Sequence, residues 1–246
     1  MADTHDKARY APLRVIALCA ALVGCGPTGR WSPSDFFTDK DVVALAKAAG
    51  SGDVKEIDRL IAAGVNVNTQ GKDGMTPLLY ALWAKNEAGF ERLLEKGANP
   101  SLQDKDGESV THLAALDAKS SKWLELLIKH KADLNVAVSK GIKHGETPLF
   151  YAIDARSIGN LKLLLNAGAN PNQQDASGGT PAMDAAWCNF WEATEILLDA
   201  GADWKLQDKA GNDLAVMCFR RKPADDKKFE KSLQARRNVI AFLRKK

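Results

Sequence analysis

Gly145-Glu146-Thr147-Pro148-Leu149-Phe150-Tyr151-Ala152 opens a phrase that closes with Gly168-Ala169-Asn170-Pro171-Asn172, and the chain repeats it. The opening returns as Thr76-Pro77 and Thr180-Pro181, with degenerate copies at Ser109-Val110 and Asp213-Leu214. Positions 76, 109, 147, 180 and 213 are therefore spaced by 33, 38, 33 and 33 residues. The close returns as Gly64-Val65-Asn66-Val67-Asn68, Gly97-Ala98-Asn99-Pro100, Lys131-Ala132-Asp133-Leu134-Asn135 and Gly201-Ala202-Asp203. Self-similarity at one period means that each unit is a supersecondary element that buries its apolar face only against its neighbours.

The residues dictate what the unit is. A Thr before Pro predicts a helix start, since the hydroxyl caps an exposed N–H and Pro at the first helical position lacks only an N–H that would be unpaired anyway. The small Ala81, Ala114, Ala152 and Ala185 let adjacent helices approach. Leu93-Leu94, Leu126-Leu127, Leu164-Leu165 and Leu197-Leu198 are expected to face the next repeat from a second helix. Gly97, Gly168 and Gly201 supply the positive-φ residue that ends it. Turn-rich Asp104-Lys105-Asp106-Gly107 and Asp208-Lys209-Ala210-Gly211 predict hairpin fingers between units.

With these motifs the chain resembles the ankyrin repeat family. The resemblance implies an all-α solenoid of about six stacked helix-turn-helix units over residues 35–246, with caps at about 35–70 and 209–246. The first repeat, Asp35 to Gln70, lacks the Thr-Pro opening, and its apolar stripes Val42, Val43, Leu45, Ala46 and Ile57, Leu60, Ile61 flank Gly50-Ser51-Gly52-Asp53. The repeat at about 71–104 keeps the pattern best, although Leu79 stands where the family has His. His112 retains that residue and is expected to bond between adjacent loops. The repeat at about 105–137 has weak capping chemistry and Lys131 in place of the closing Gly. The finger around Val138 to His144 is four residues longer than its neighbours, and extra length in repeat arrays tends to fall on the binding face. Tolerated drift explains the same insertion, because surface loops lengthen at little entropic cost.

The N-terminus is of another kind. Lys7, Arg9 and Arg14 precede an apolar run, Val15 to Gly24, and Leu22-Val23-Gly24-Cys25 closes it, the basic, apolar and small-residue order of a secretory signal. A run of about ten residues is too short to span a bilayer, which needs about 20. Leu-Val-Gly-Cys resembles the bacterial lipobox, which implies a signal over 1–24, lipidation of Cys25 and a location in the periplasm, on the outer membrane since Gly26 follows. Gly26 to Ser34, rich in Gly, Pro and Ser, is expected to be a linker over 25–34.

The chain's formal charge is +3, too small to call for nucleic acid. It is unevenly placed: residues 25–219 hold 20 basic and 26 acidic side chains, and 220–246 hold 11 against 3. The basic end is either a solvated cap or an attraction to anionic lipid or an acidic partner. His5, His112, His130 and His144 have no metal-ligand spacing, and no nucleophile triad, carboxylate pair or phosphate-cradling loop is present. The reading is a non-enzymatic protein with no cofactor and no metal. Cys188 and Cys218 are left after Cys19 and Cys25 are accounted for, and a disulfide between them requires Cα atoms within about 7 Å.

The resemblance places partner contacts on the fingers and on the exposed ends of first helices. On the fingers these are Lys105, Asp106, Lys143 and His144. On the helices they are Tyr80, Trp83, Leu116, Asp117, Tyr151 and Asp154, then Trp187, Arg220 and Arg221. Phe190 and Trp191 are expected to pack. A lipid-anchored periplasmic ankyrin protein is similar to immunity proteins that neutralise toxic effectors, such as phospholipases of type VI secretion. The implied partner is a secreted effector, with membrane attachment through the lipid alone and a monomer when unbound. The other reading is an envelope scaffold or stress-protection partner of a resident periplasmic enzyme.

Overall fold

Each Thr-Pro does start a helix. The computed structural model describes residues 31–220 and 230–245. Among them are twelve α-helices and no strand, only an isolated bridge between Gln103 and Ser109. The helices pair as α1 (Lys40–Ser51) with α2 (Val54–Ala62), α3 (Pro77–Trp83) with α4 (Glu87–Glu95), and α5 (Val110–Leu116) with α6 (Lys122–Lys129). The series continues with α7 (Pro148–Asp154) and α8 (Ile158–Asn166), α9 (Pro181–Trp187) and α10 (Trp191–Asp199), then α11 (Leu214–Arg220) and α12 (Glu230–Arg244). Short 3-10 turns cover Pro33–Asp35 and Lys72–Gly74. The chain divides into two compact units, the first ending at Val110 and taking in Gly141–Lys143, the second made of Thr111–Lys140 and the residues from His144 on.

Of the three Thr-Pro starts, two are capped as expected. Thr76 Oγ1 accepts the Leu79 N–H at 3.1 Å and Thr180 Oγ1 that of Met183 at 3.3 Å. Thr147 makes no such bond, and its buried hydroxyl has no hydrogen-bond partner. The helix starts there regardless, because Pro148 presets φ. In the first repeat Asp39 takes the capping place, its carboxylate accepting from the Asp41 and Val42 amides. Second helices are capped by Asp53, Asn86 and Ser157.

Second helices end through the residue singled out by the sequence. Gly64, Gly97, Gly168 and Gly201 lie at φ of 86–93°, and Lys131 joins them at 56°. After each of these five the next amide reaches back to a leucine carbonyl: Val65 to Leu60, Ala98 to Leu93, Ala132 to Leu127, Ala169 to Leu164 and Ala202 to Leu197, at 2.9–3.1 Å. This is the six-to-one closure of a left-handed helix terminus. It also corrects the leucine register of the third repeat. Leu127, not Leu126, is the equivalent of the fully buried Leu93, Leu164 and Leu197, and Ile128 follows it.

In the first unit α1 packs on α3 and on α4, with Leu45, Ala46, Ala49, Ala81, Phe90 and Leu93 fully buried. A Cβ at Gly89 would collide with the Ala49 carbonyl, so that close approach requires glycine. Asn68 spans to the next repeat, its Oδ1 accepting the Asn99 N–H at 2.7 Å and its Nδ2 donating to the Gly97 carbonyl at 3.2 Å. In the second unit Asn172 repeats this pair of bonds to Asp203 and Gly201. His112 is fully buried, with Nε2 3.2 Å from the Glu146 carbonyl, the loop-bonding role expected of it. Asn160, also fully buried, donates to the Ala115 and Asp117 carbonyls at 3.0 and 2.9 Å and accepts from Ser121 Oγ at 2.7 Å. Helix α12 lies along α10, where Arg236 sits over the Trp191 ring, 5.5 Å from its centroid, and donates to the Cys218 carbonyl. Cys188 and Cys218 are not joined in a disulfide.

Candidate protein-interaction surface

The fingers are closed loops with fixed roots. In each, a backbone pair shuts the base: Gly71 to Met75, Asp104 to Glu108, Val138 to Glu146, Asp175 to Gly179 and Asp208 to Asn212, at 2.8–2.9 Å. Neighbouring fingers are joined by one more amide. Lys105 N–H donates to the Asp73 carbonyl in the first unit, and Ala176 to His144 and Lys209 to Ser177 in the second, at 2.8–2.9 Å. Asp104 fastens its own loop by accepting from the Asp106 and Glu108 amides at 2.9 and 3.0 Å. Burial raises its carboxyl above the usual carboxylate range, against the pull of those amides.

Lys105 and Asp106 stand exposed on such a finger, with the Lys105 ammonium 3.6 Å from the Asp73 carboxylate. On the longer finger His144 is exposed and Lys143 half-buried. Ile142 is 62 % exposed there, an apolar position that the reading of the insertion did not distinguish.

On the first helices the predicted residues divide. Asp154 is exposed, while Asp117 and Trp187 are half-buried. Asp117 also has a structural part, its carbonyl accepting from Asn160 and its carboxylate from the Lys119 amide. Tyr151 is 1 % exposed, its ring 4.9 Å from that of His112, and Leu116 is 9 % exposed. Both belong to the core, which corrects their assignment to a contact surface. Phe190 and Trp191 are buried, as expected of them. Arg156, at φ 52°, lays its guanidinium 4.5 Å from the Phe190 centroid and bonds the Cys188 carbonyl. Arg220 ends α11; its side chain, Arg221 and Cys25 lie outside the described residues.

Tyr80 and Trp83 are half-buried for a reason the sequence reading missed. The Phe36 ring meets Trp83 edge-on, 5.8 Å between centroids at 80°, and Trp31 lies 6.0 Å beyond it. The Tyr80 hydroxyl donates to the Trp31 carbonyl at 3.4 Å. Burial, aided by the Asp35 carboxylate, raises the Tyr80 pKa. The signal was present in the register: Phe36 lies three residues before the cap Asp39, as Asp73 does before Thr76. The Phe36 carbonyl accordingly accepts the Lys72 amide at 2.8 Å, as that of Asp73 accepts Lys105.

A shallow open cleft of about 370 Å³ passes Ile128, Lys131, Asp133, Asn135 and Gly168 and includes none of the predicted contact residues. Among the described residues no group of His, Cys, Asp or Glu is placed to hold a metal ion, and no helix is long and apolar enough to cross a membrane.

Comparison with known proteins agrees with this architecture. The family model described as ankyrin repeats (3 copies) matches residues 17–104, 84–175 and 111–208. The mitochondrial disaggregase of Bos taurus is 36 % identical over 172 residues, 70 % of this chain and 24 % of that protein. The putative ankyrin repeat protein L371 of Acanthamoeba polyphaga mimivirus is 30 % identical over 153 residues, 62 % of this chain and 19 % of that protein. The chain thus spans about a quarter or less of the length of these relatives. Among solved structures, the ankyrin repeat protein EF0377 superposes with a TM-score of 0.64 at 23 % identity, over 81 % of this chain and 97 % of that one. An ankyrin repeat domain from Acinetobacter baumannii AYE gives 0.63 at 23 %, over 80 % and 96 %. Such arrays are in general scaffolds for protein–protein interaction. By its repeat motifs, its helix pairs and these matches, the chain belongs to the ankyrin repeat family.

Proposed function

We propose that this chain is a non-enzymatic binding protein of the bacterial envelope, anchored by lipid on Cys25, that takes up and neutralises a secreted toxic effector. The observation that carries the binding reading is the mounting of the exposed and half-buried residues. Lys105 and Asp106 sit on a finger closed by an Asp104–Glu108 backbone pair and tied to the preceding finger, and Asp154 and Trp187 end helices locked in register. A backbone fixed in this way loses little further entropy when a partner binds, which favours tight inhibition by shape rather than by chemistry. The envelope reading is supported by Leu22-Val23-Gly24-Cys25 after a basic and apolar leader, and it places the chain at the outer membrane facing the periplasm.

Two experiments test these parts separately. Mass analysis of the N-terminal peptide of the full chain expressed in a bacterium should show an acylated Cys25, and Cys25→Ala should release the chain from the membrane fraction. Affinity capture on the tagged chain should bring down a secreted hydrolase in near-equal amount, inactive in the complex. Recovery of resident periplasmic proteins alone would replace neutralisation with the scaffold role.

A further inference from the structure

The chain enters its first unit through a segment that is firmly seated and ends in an outward-facing indole. Phe36 and Phe37 are 9 % and 4 % exposed. The Phe36 carbonyl holds the Lys72 amide, and Gly71 leaves room for it, since a Cβ there would collide with that carbonyl. The Ser32 amide donates to Asp35 Oδ2 at 2.6 Å and the Asp35 amide to the Ser32 carbonyl at 2.9 Å, closing the Pro33–Asp35 turn. Trp31 comes immediately before this turn. Its carbonyl is held by Tyr80 and its ring rests against Phe36, which rests on Trp83. Even so, 60 % of Trp31 is open to solvent. Burying the ring against its own chain stops short, and the stack beneath holds what is left facing outward.

Six residues lead from Cys25 to Trp31. At no more than about 3.6 Å per residue, they keep the Trp31 backbone within about 22 Å of the Cys25 backbone. Acyl chains on Cys25 fix that backbone at the membrane surface, and Trp is the side chain best suited to the headgroup layer, apolar in body and polar at one edge. The charges that flank it are Arg30 and Lys40 against Asp35, Asp39 and Asp41, a balance of −1 that gives no attraction to anionic lipid. The contact they permit is burial of the ring.

We propose that Trp31 is a second membrane contact, its indole inserted into the headgroup layer of the phospholipid surface that carries the Cys25 anchor and propped there by Phe36 and Trp83. This rests on the lipid-anchor reading above. One acyl chain alone gives marginal, reversible binding and a second signal stabilises it; for a multiply acylated chain the same contact restrains the first unit at the surface rather than adding to retention.

The test uses the full chain matured in its host, with acylation of Cys25 established by the mass of its N-terminal peptide, reconstituted into phosphatidylethanolamine-rich vesicles with or without brominated acyl chains. Wild-type chain should lose part of its tryptophan emission on brominated vesicles. Trp31→Leu should abolish that loss and Trp204→Phe should keep it. Molar salt should leave it unchanged, since screening removes only charge attraction. As a second readout, the Phe36 and Phe37 amides should exchange more slowly on vesicles than in Cys25→Ala chain free in solution. An acylated chain whose emission is unaffected, or equally affected in Trp31→Leu, overturns the insertion and leaves the anchor standing. A chain without acyl mass that ignores vesicles overturns the anchor, and the insertion with it. If Trp31→Leu weakens capture of a protein partner while the brominated lipid leaves wild-type emission intact, the indole belongs to a protein interface and the proposal fails.

Discussion

Lys131 shows what one residue contributes when it stands where the backbone wants another. It takes the left-handed helix terminus at φ 56° that Gly97, Gly168 and Gly201 take in their own repeats, at a cost of about 1 kcal/mol for a side chain in that region. Lys131→Gly should therefore stabilise the protein by about 0.5–1 kcal/mol, the gain reduced by the extra freedom of glycine in the unfolded chain. A thermal melt should show a rise of about 2–4 °C per kcal/mol for a domain of this size; a fall would mean that the lysine side chain contributes more than its backbone costs. Asn160 is the opposite case, a polar residue at the core whose three bonds fill its place. Asn160→Leu leaves two carbonyls and a hydroxyl to find other partners and should cost about 2–4 kcal/mol in denaturant unfolding. A near-neutral effect would show that those carbonyls are satisfied without it.

At the scale of the element, the helices were legible and their exposed faces only partly so. Thr-Pro, the closing glycine and the alanine positions specify where each helix begins, ends and packs, because each acts through local backbone geometry. Which side of a first helix remains exposed depends on what the adjacent repeat presents, and one sequence position cannot give that. Tyr80 and Tyr151 share a register position four residues after the cap, yet the first is half-buried beneath the Trp31 backbone and the second is sealed against His112. Leu116 and Trp187 likewise share a place, and only Trp187 keeps an open edge. Trp83→Ala should accordingly lose stability, by about 0.5–1.5 kcal/mol for its contact with Phe36, and Trp187→Ala should weaken partner binding about tenfold or more while the chain stays folded. Equal binding by Trp187→Ala would remove it from the interface. The last repeat offers a chemical check. Burial pushes the Cys218 thiol up to about 12 from an ordinary value of 9.0. The folded pKa is the higher one, so the stability this thiol contributes is complete below about pH 9 and lost as pH rises toward 12. Mapping alkylation at pH 8 should find Cys188 modified in the native protein and Cys218 only after unfolding; early labelling of Cys218 would show that α12 opens readily from α10 and α11.

For the whole molecule, repeat physics accounts for the family, and the family for protein binding as the kind of work done. The rest of the functional account lies in what the repeats carry and where the leader delivers them. Cys25 and the basic residues from Arg221 to Lys228 fall outside the described residues, and the proposed envelope location stands on the order of basic, apolar and small residues in the leader. The measurement that tests the central claim most directly is capture on the full-length, acylated chain from envelope and secreted fractions, with the catalytic activity of whatever binds assayed in the complex and after release. The account predicts a secreted hydrolase held near one to one, silent when bound, active when freed, and lost from Trp187→Ala chain. A partner that remains fully active in the complex, or one bound equally by Trp187→Ala chain, would contradict it.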